Sequence, residues 1–118
     1  MRVKDAVGSY GEGVAVRYLE QAGLTVVARN WRCELGEIDI VALDGSTVVV
    51  CEVKTRTGFG FGSGLEAVTR AKARRLRQLG LRWLAENGRR SARLRFDVLA
   101  VHRGRHGPAT VEHLRGAF

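Results

Sequence analysis

Two runs rich in valine and isoleucine, Glu37 to Leu43 and Thr47 to Lys54, flank Asp44-Gly45-Ser46 and leave the middle of this chain little alternative to a β-hairpin. Strand alternation puts Glu37, Asp39, Val41 and Leu43 on one face of the first run, with Ile38 and Ile40 on the other. On the second run Glu52 and Lys54 share a face with Val48 and Val50, while Val49, Cys51 and Val53 make an apolar face. One side of the hairpin therefore carries charge. With Gly45-Ser46 as the turn, Asp39 faces Glu52 and Glu37 faces Lys54; with Asp44-Gly45 as the turn, Asp39 faces Val50 and Glu52 is its diagonal neighbour. Opposite Cβ atoms lie about 5 Å apart and diagonal ones about 7–8 Å, so either register lets both carboxylates reach one cation.

The rest of the chain supplies an α/β frame. From Ser9 to Ala22, Gly8, Gly11, Ala15, Leu19 and Ala22 recur at helical spacing, Arg17, Glu20 and Gln21 point away, and Gly23 ends the helix. Thr25 to Arg32 reads as a strand before a turn at Cys33–Gly36. Gly58 to Gly64 alternates glycine with small or aromatic residues and reads as a loop. Leu65 to Asn87 reads as a long helix with the stripe Leu65, Thr69, Leu76, Leu79 and Trp83. Leu94 to Val101 is a further strand, and Thr110 to Leu114 a short one after the Gly104–Pro108 turn. The expected architecture is one α/β domain, residues 1–118: helix, three-strand antiparallel meander, long helix and further strands, a mixed central sheet flanked by helices. Its core covers about residues 8–101, and 102–118 form a C-terminal extension.

At 118 residues with 45% hydrophobic content the chain suits one modest core. A formal charge of +8 points to a polyanionic partner, since a basic surface attracts phosphates and releases their counterions. Cys33 and Cys51, with no second pair, indicate neither a zinc knuckle nor a disulfide framework, which fits a reducing cytoplasm. No run approaches the roughly 18 apolar residues of a membrane span, and Met1–Gly8 lacks the apolar centre of a signal peptide. The expectation is a soluble cytoplasmic protein. No Gly-Lys-Ser/Thr follows the glycines to cradle nucleotide phosphates, His102, His106 and His113 lack zinc spacing, and Ser9 lies in no nucleophile elbow.

Two acids converging beside a lysine on otherwise apolar strands are costly unless their charge is compensated. A structural ion-pair cluster is one solution. The other is a hard cation, Mg²⁺ or Mn²⁺, on Asp39 and Glu52, because such ions take oxygen ligands from one or two carboxylates plus a substrate phosphate. Lys54 then orients water or neutralises charge growing on the phosphate.

This Asp-(12 residues)-Glu-Val-Lys array resembles the PD-(D/E)xK nuclease signature, with Asp39, Glu52 and Lys54 in the motif positions. Gly11-Glu12, Tyr18-Leu19, Gly23, Arg29-Asn30-x-Arg32, Gly36-Glu37-Ile38-Asp39, Glu52-Val53-Lys54-x-Arg56, Ala67-Val68, Lys72 and Arg95-Phe96-Asp97 widen the likeness in order, and by them the chain resembles the YraN-like family of that restriction-endonuclease-like superfamily. The likeness covers about residues 8–101. It implies metal-dependent hydrolysis of phosphodiester bonds in DNA, branched or structured DNA included, since Holliday-junction resolvases are similar. Such relatives act as dimers, so a homodimer is expected. The alternative is a nucleic-acid-binding module or protein-complex scaffold on the same fold.

Other residues carry two readings each. Glu12, on the buried helix face, either reaches the metal or closes a Ser9-x-x-Glu12 capping box. Glu37 is a supporting acid or the salt-bridge partner of Lys54. Lys72, on the apolar stripe, reaches an acid or phosphate, or snorkels to water. Arg56, Arg70, Arg74, Arg77, Arg89 and Arg90, with Arg93 and Arg95, form a phosphate-tracking surface or a solvated face. Phe59 and Phe61 stack on bases or pack a lid. Asp97 pairs with a neighbouring arginine.

Overall fold

The computed structural model describes residues 3–57, 69–104 and 107–118. Helix α1 (Val3–Gln21) leads into strands β1 (Thr25–Cys33), β2 (Gly36–Asp44) and β3 (Thr47–Thr57); helix α2 (Arg70–Glu86), β4 (Leu94–Arg103) and β5 (Thr110–Leu114) follow. The strands form one sheet in chain order. β1, β2 and β3 run antiparallel, β3 pairs parallel with β4, and β5 returns antiparallel. The sheet is mixed because a parallel partner needs a long crossover, which α2 provides. The expected loop Gly58–Gly64, with Phe59 and Phe61, and the expected first turn of the long helix, Leu65 to Val68, lie outside the described residues.

Two apolar layers sandwich the sheet. Ala15 and Leu19 of α1 pack with Ile40, Ala42, Val49, Cys51, Leu99 and Val101 on one face. Leu76, Leu79, Trp83 and Leu84 of α2 cover Val41, Val48, Val50 and Phe96 on the other. Burying each such aliphatic side chain contributes about 1.5–3 kcal/mol. The turn is Gly45-Ser46, with Gly45 at φ +60°, so Asp44 pairs with Thr47 and Ile40 with Cys51.

Three local expectations are corrected. Ser9 lies inside α1, which starts at Val3, so its hydroxyl is not at a helix N-terminus and the Ser9-x-x-Glu12 capping box does not form. Thr69 does not belong to the buried stripe: it is exposed and caps α2, its hydroxyl accepting the Lys72 N–H at 3.1 Å. Ile38 and Ile40 do not share a face, since Ile38 joins the α2 layer and Ile40 the α1 layer. The break coincides with Asn30, which has φ +52° and falls opposite Asp39 between the pairs Arg29↔Ile40 and Trp31↔Ile38. An asparagine tolerates that left-handed conformation, and the kink it makes shifts the alternation of both strands.

Candidate active site

Asp39 occupies the place where β2 and β3 part. Their ladder ends at Ile40↔Cys51, one pair short of Asp39 and Glu52, and the Asp39 Oδ2 accepts the Val53 N–H at 2.8 Å in place of a backbone carbonyl. The split opens Asp39 to both layers. From the α1 side comes Glu12, and with Glu37 the three carboxylates offer oxygen atoms all within 4.8 Å of one another. Gly11 makes this approach possible. A Cβ there would collide with Thr55 Oγ1 and lie 3.0 Å from Thr55 Cβ, so only glycine lets α1 sit this close to β3.

From the α2 side a cleft of about 370 Å³ reaches Asp39, lined also by Glu37, Glu52, Thr69, Lys72 and Arg75. The Lys72 ammonium pairs with Glu52 Oε1, while Glu52 Oε2 is buried with no hydrogen-bond partner. Arg32, the cross-strand neighbour of Glu37, lies 3.1 Å from its carboxylate. Glu12 has no cationic partner among the described residues. Burial pushes the Asp39 carboxyl up, the Val53 N–H opposes it, and the charges of Glu12, Glu52 and Glu37 add to the rise, bringing it to about 6.

Of the residues singled out from sequence, Asp39, Glu52, Glu12 and Lys72 come together here, and Glu37 joins the acids more closely than Glu52 does. Lys54 and Arg56 are half-buried on the last part of β3. Arg70 and Arg74 are exposed on α2, and Arg77 lies over the Phe96 ring at 5.8 Å. Arg89 and Arg90 are exposed beyond the far end of α2, about 25 Å from its first residue at 1.5 Å per residue. They do not meet the cleft. Arg95 leaves the basic surface altogether: its guanidinium binds Asp97 through Nε at 2.9 Å and Nη2 at 3.0 Å, and reaches Asp44 at 2.7 Å. The expected pairing of Asp97 with an arginine is thus met.

Three groups were missed. Arg75 lines the cleft although periodicity had picked Arg70, Arg74 and Arg77, and the missing signal was its place one turn beyond Lys72. His113 is a buried partner of Asp97, at 2.7 Å, and touches the Tyr18 hydroxyl at 3.2 Å. The Gly116 N–H donates to Asp97 at 3.1 Å, so the segment after β5 closes over β4.

The acid set fits a hard divalent cation on physical grounds. An unpartnered buried carboxylate oxygen, a desolvated aspartate and three converging carboxylates are each unfavourable alone, and one multiply charged ion relieves all of them. A family model described as Uncharacterised protein family UPF0102 matches residues 11–101. A UPF0102 protein of Beutenbergia cavernae is 60% identical over 116 residues, covering 98% of each chain. A UPF0102 protein of Frankia casuarinae is 54% identical over 118 residues, covering 100% of both.

Proposed function

We propose, for a chain that belongs to the uncharacterised protein family UPF0102, a chemistry that its family's name does not supply: metal-dependent endonucleolytic hydrolysis of phosphodiester bonds in DNA. The observation that carries this reading is the acid cluster at the split between β2 and β3, where Glu12, Glu37 and Asp39 converge and Glu52 keeps an unpartnered buried oxygen. Its likeness to the PD-(D/E)xK nuclease array, and a net charge of +8, support DNA as the substrate class.

Asp39, Glu52 and Glu12 would hold Mg²⁺ or Mn²⁺, with Glu37 as an additional acid at the same point. When bound, such an ion lowers the charge repulsion of an incoming phosphate and acidifies water. Asp39 is held for this work by the Val53 N–H, which fixes one carboxylate oxygen and leaves the other to face the cluster. Lys72 steadies Glu52 across the cleft. Lys54, two residues after Glu52 on β3, supplies the positive charge or proton acceptor beside the reacting phosphate. Arg56, Arg70 and Arg74 contact backbone phosphates further along, setting affinity without reading sequence.

The test is cleavage of labelled duplex, single-stranded and four-way-junction DNA with Mg²⁺ or Mn²⁺, comparing the unaltered protein with Asp39→Asn and Lys54→Ala. Metal-dependent products abolished by both substitutions are expected. Absence of product on every substrate, or equal cutting by the variants, would leave a basic binding domain on a nuclease-like frame.

A further inference from the structure

The cations around the cleft are of two kinds. Lys72 pairs with Glu52 and Arg32 with Glu37, so each already neutralises an acid of the cluster. Arg75 has no ion-pair partner among the described residues, although it lines the same cleft as Asp39 and Glu52. It is exposed, and its Cδ lies 3.8 Å from where a Cβ of Gly36 would stand, so the side chain runs along the cleft wall past a residue that offers no obstruction. Arg70, Arg74 and Arg77 share α2 with it but are not among the lining residues.

On the nuclease reading, a phosphodiester entering this cleft meets at least three carboxylates and needs more positive charge than one divalent ion provides at the acids. We propose that Arg75 is the phosphate-binding residue of the cleft, gripping the same phosphate that the ion at Asp39 contacts, from the α2 side. A guanidinium suits the task because its planar fork meets two phosphate oxygens at once, which an ammonium does not. Sharing one phosphate makes the two cations interdependent. Removing Arg75 should therefore cost more when the divalent ion is present than when it is absent, whereas an arginine on a neighbouring phosphate should show no such dependence.

The experiment is fluorescence anisotropy of labelled duplex and four-way-junction DNA, with Ca²⁺ or with EDTA, for the unaltered protein, Arg75→Ala, Arg75→Lys, Arg74→Ala and Asp39→Asn. Calorimetric Mn²⁺ titration of each protein accompanies it. Arg75→Ala should weaken binding about tenfold in Ca²⁺ and only about two- to threefold in EDTA, with Arg75→Lys restoring part of the difference. Arg74→Ala should lose the same factor in both conditions, and Mn²⁺ affinity should survive Arg75→Ala. An equal loss for Arg75→Ala with and without Ca²⁺, or no loss, would overturn the assignment. So would a changed Mn²⁺ affinity with unchanged DNA binding, which would make Arg75 a counter-charge for the acids. The underlying nuclease reading fails separately, if Ca²⁺ does not strengthen DNA binding by the unaltered protein or strengthens it equally for Asp39→Asn. Absence of DNA binding in every condition would remove both.

Discussion

Asp39 and Asp97 are both withdrawn from water on neighbouring parts of the same sheet, yet their surroundings drive them in opposite directions. Burial pushes the Asp97 carboxyl up, but the bonds from Arg95, His113 and the Gly116 N–H outweigh it and hold the carboxyl below its ordinary value. Asp39 receives one N–H from Val53 and is otherwise crowded by acids, and it rises to about 6. A buried carboxylate is tolerated when its shell is complete, and becomes available for other work when its shell is left short. The first arrangement ties β4 to β5 and α1; the second waits for a cation.

The strongest way to break this contrast is Asp97→Asn. It leaves Arg95 and His113 without their charge partner in a site where Asp97 is 1% exposed, and should lower stability by about 3–5 kcal/mol in chemical denaturation. Asp39→Asn should do the reverse. Asparagine keeps an acceptor for Val53 N–H and removes one charge from the acid cluster, so without divalent ions the variant should be more stable near neutral pH by about 1–3 kcal/mol. The sign follows from linkage: with its carboxyl raised from 3.8 to about 6, folded Asp39 binds more protons than the unfolded chain in that window, so its contribution to stability falls as pH rises through it. The difference between Asp39→Asn and the unaltered protein should vanish below about pH 4. Mn²⁺ should raise the melting temperature of the unaltered protein and leave that of Asp39→Asn unmoved.

Gly11→Ala sharpens the comparison at lower cost. Forcing α1 away from Thr55 should lower stability by about 1–3 kcal/mol and weaken Mn²⁺ binding by drawing Glu12 from the cluster. An unchanged Mn²⁺ affinity in calorimetry would take Glu12 out of the ligand set. The smallest effect belongs to Arg70→Ala, which should reduce the slope of log affinity for duplex DNA against log salt by about 0.9.

The hairpin and its partners were legible because their signals are local. Asp44-Gly45-Ser46 between β-branched runs restricts the pairing to two registers, and Gly45-Ser46 proves to be the turn. Asp39 and Glu52 follow from that register, and Glu12 and Lys72 were visible as charges on apolar helix faces. What escaped depends on distant contacts. Asn30 reads as an ordinary strand residue until its left-handed backbone shifts the faces around Asp39. Ser9 looks like a cap only while the helix is taken to begin there. His113 has no spacing to mark it, and its role becomes visible only once β5 pairs with β4 and sets it across from Leu99.

The bond from Val53 N–H to Asp39 also bears on how this protein can change over evolutionary time. An aspartate that serves only chemistry can be replaced by alanine once the chemistry is no longer selected. Here alanine would orphan a part-buried amide at the end of a ladder, a penalty of about 1–3 kcal/mol that acts on folding whether or not any substrate is met. Descendants that abandon the reaction should therefore drift toward asparagine at position 39, retaining the outline of the site after its function has gone.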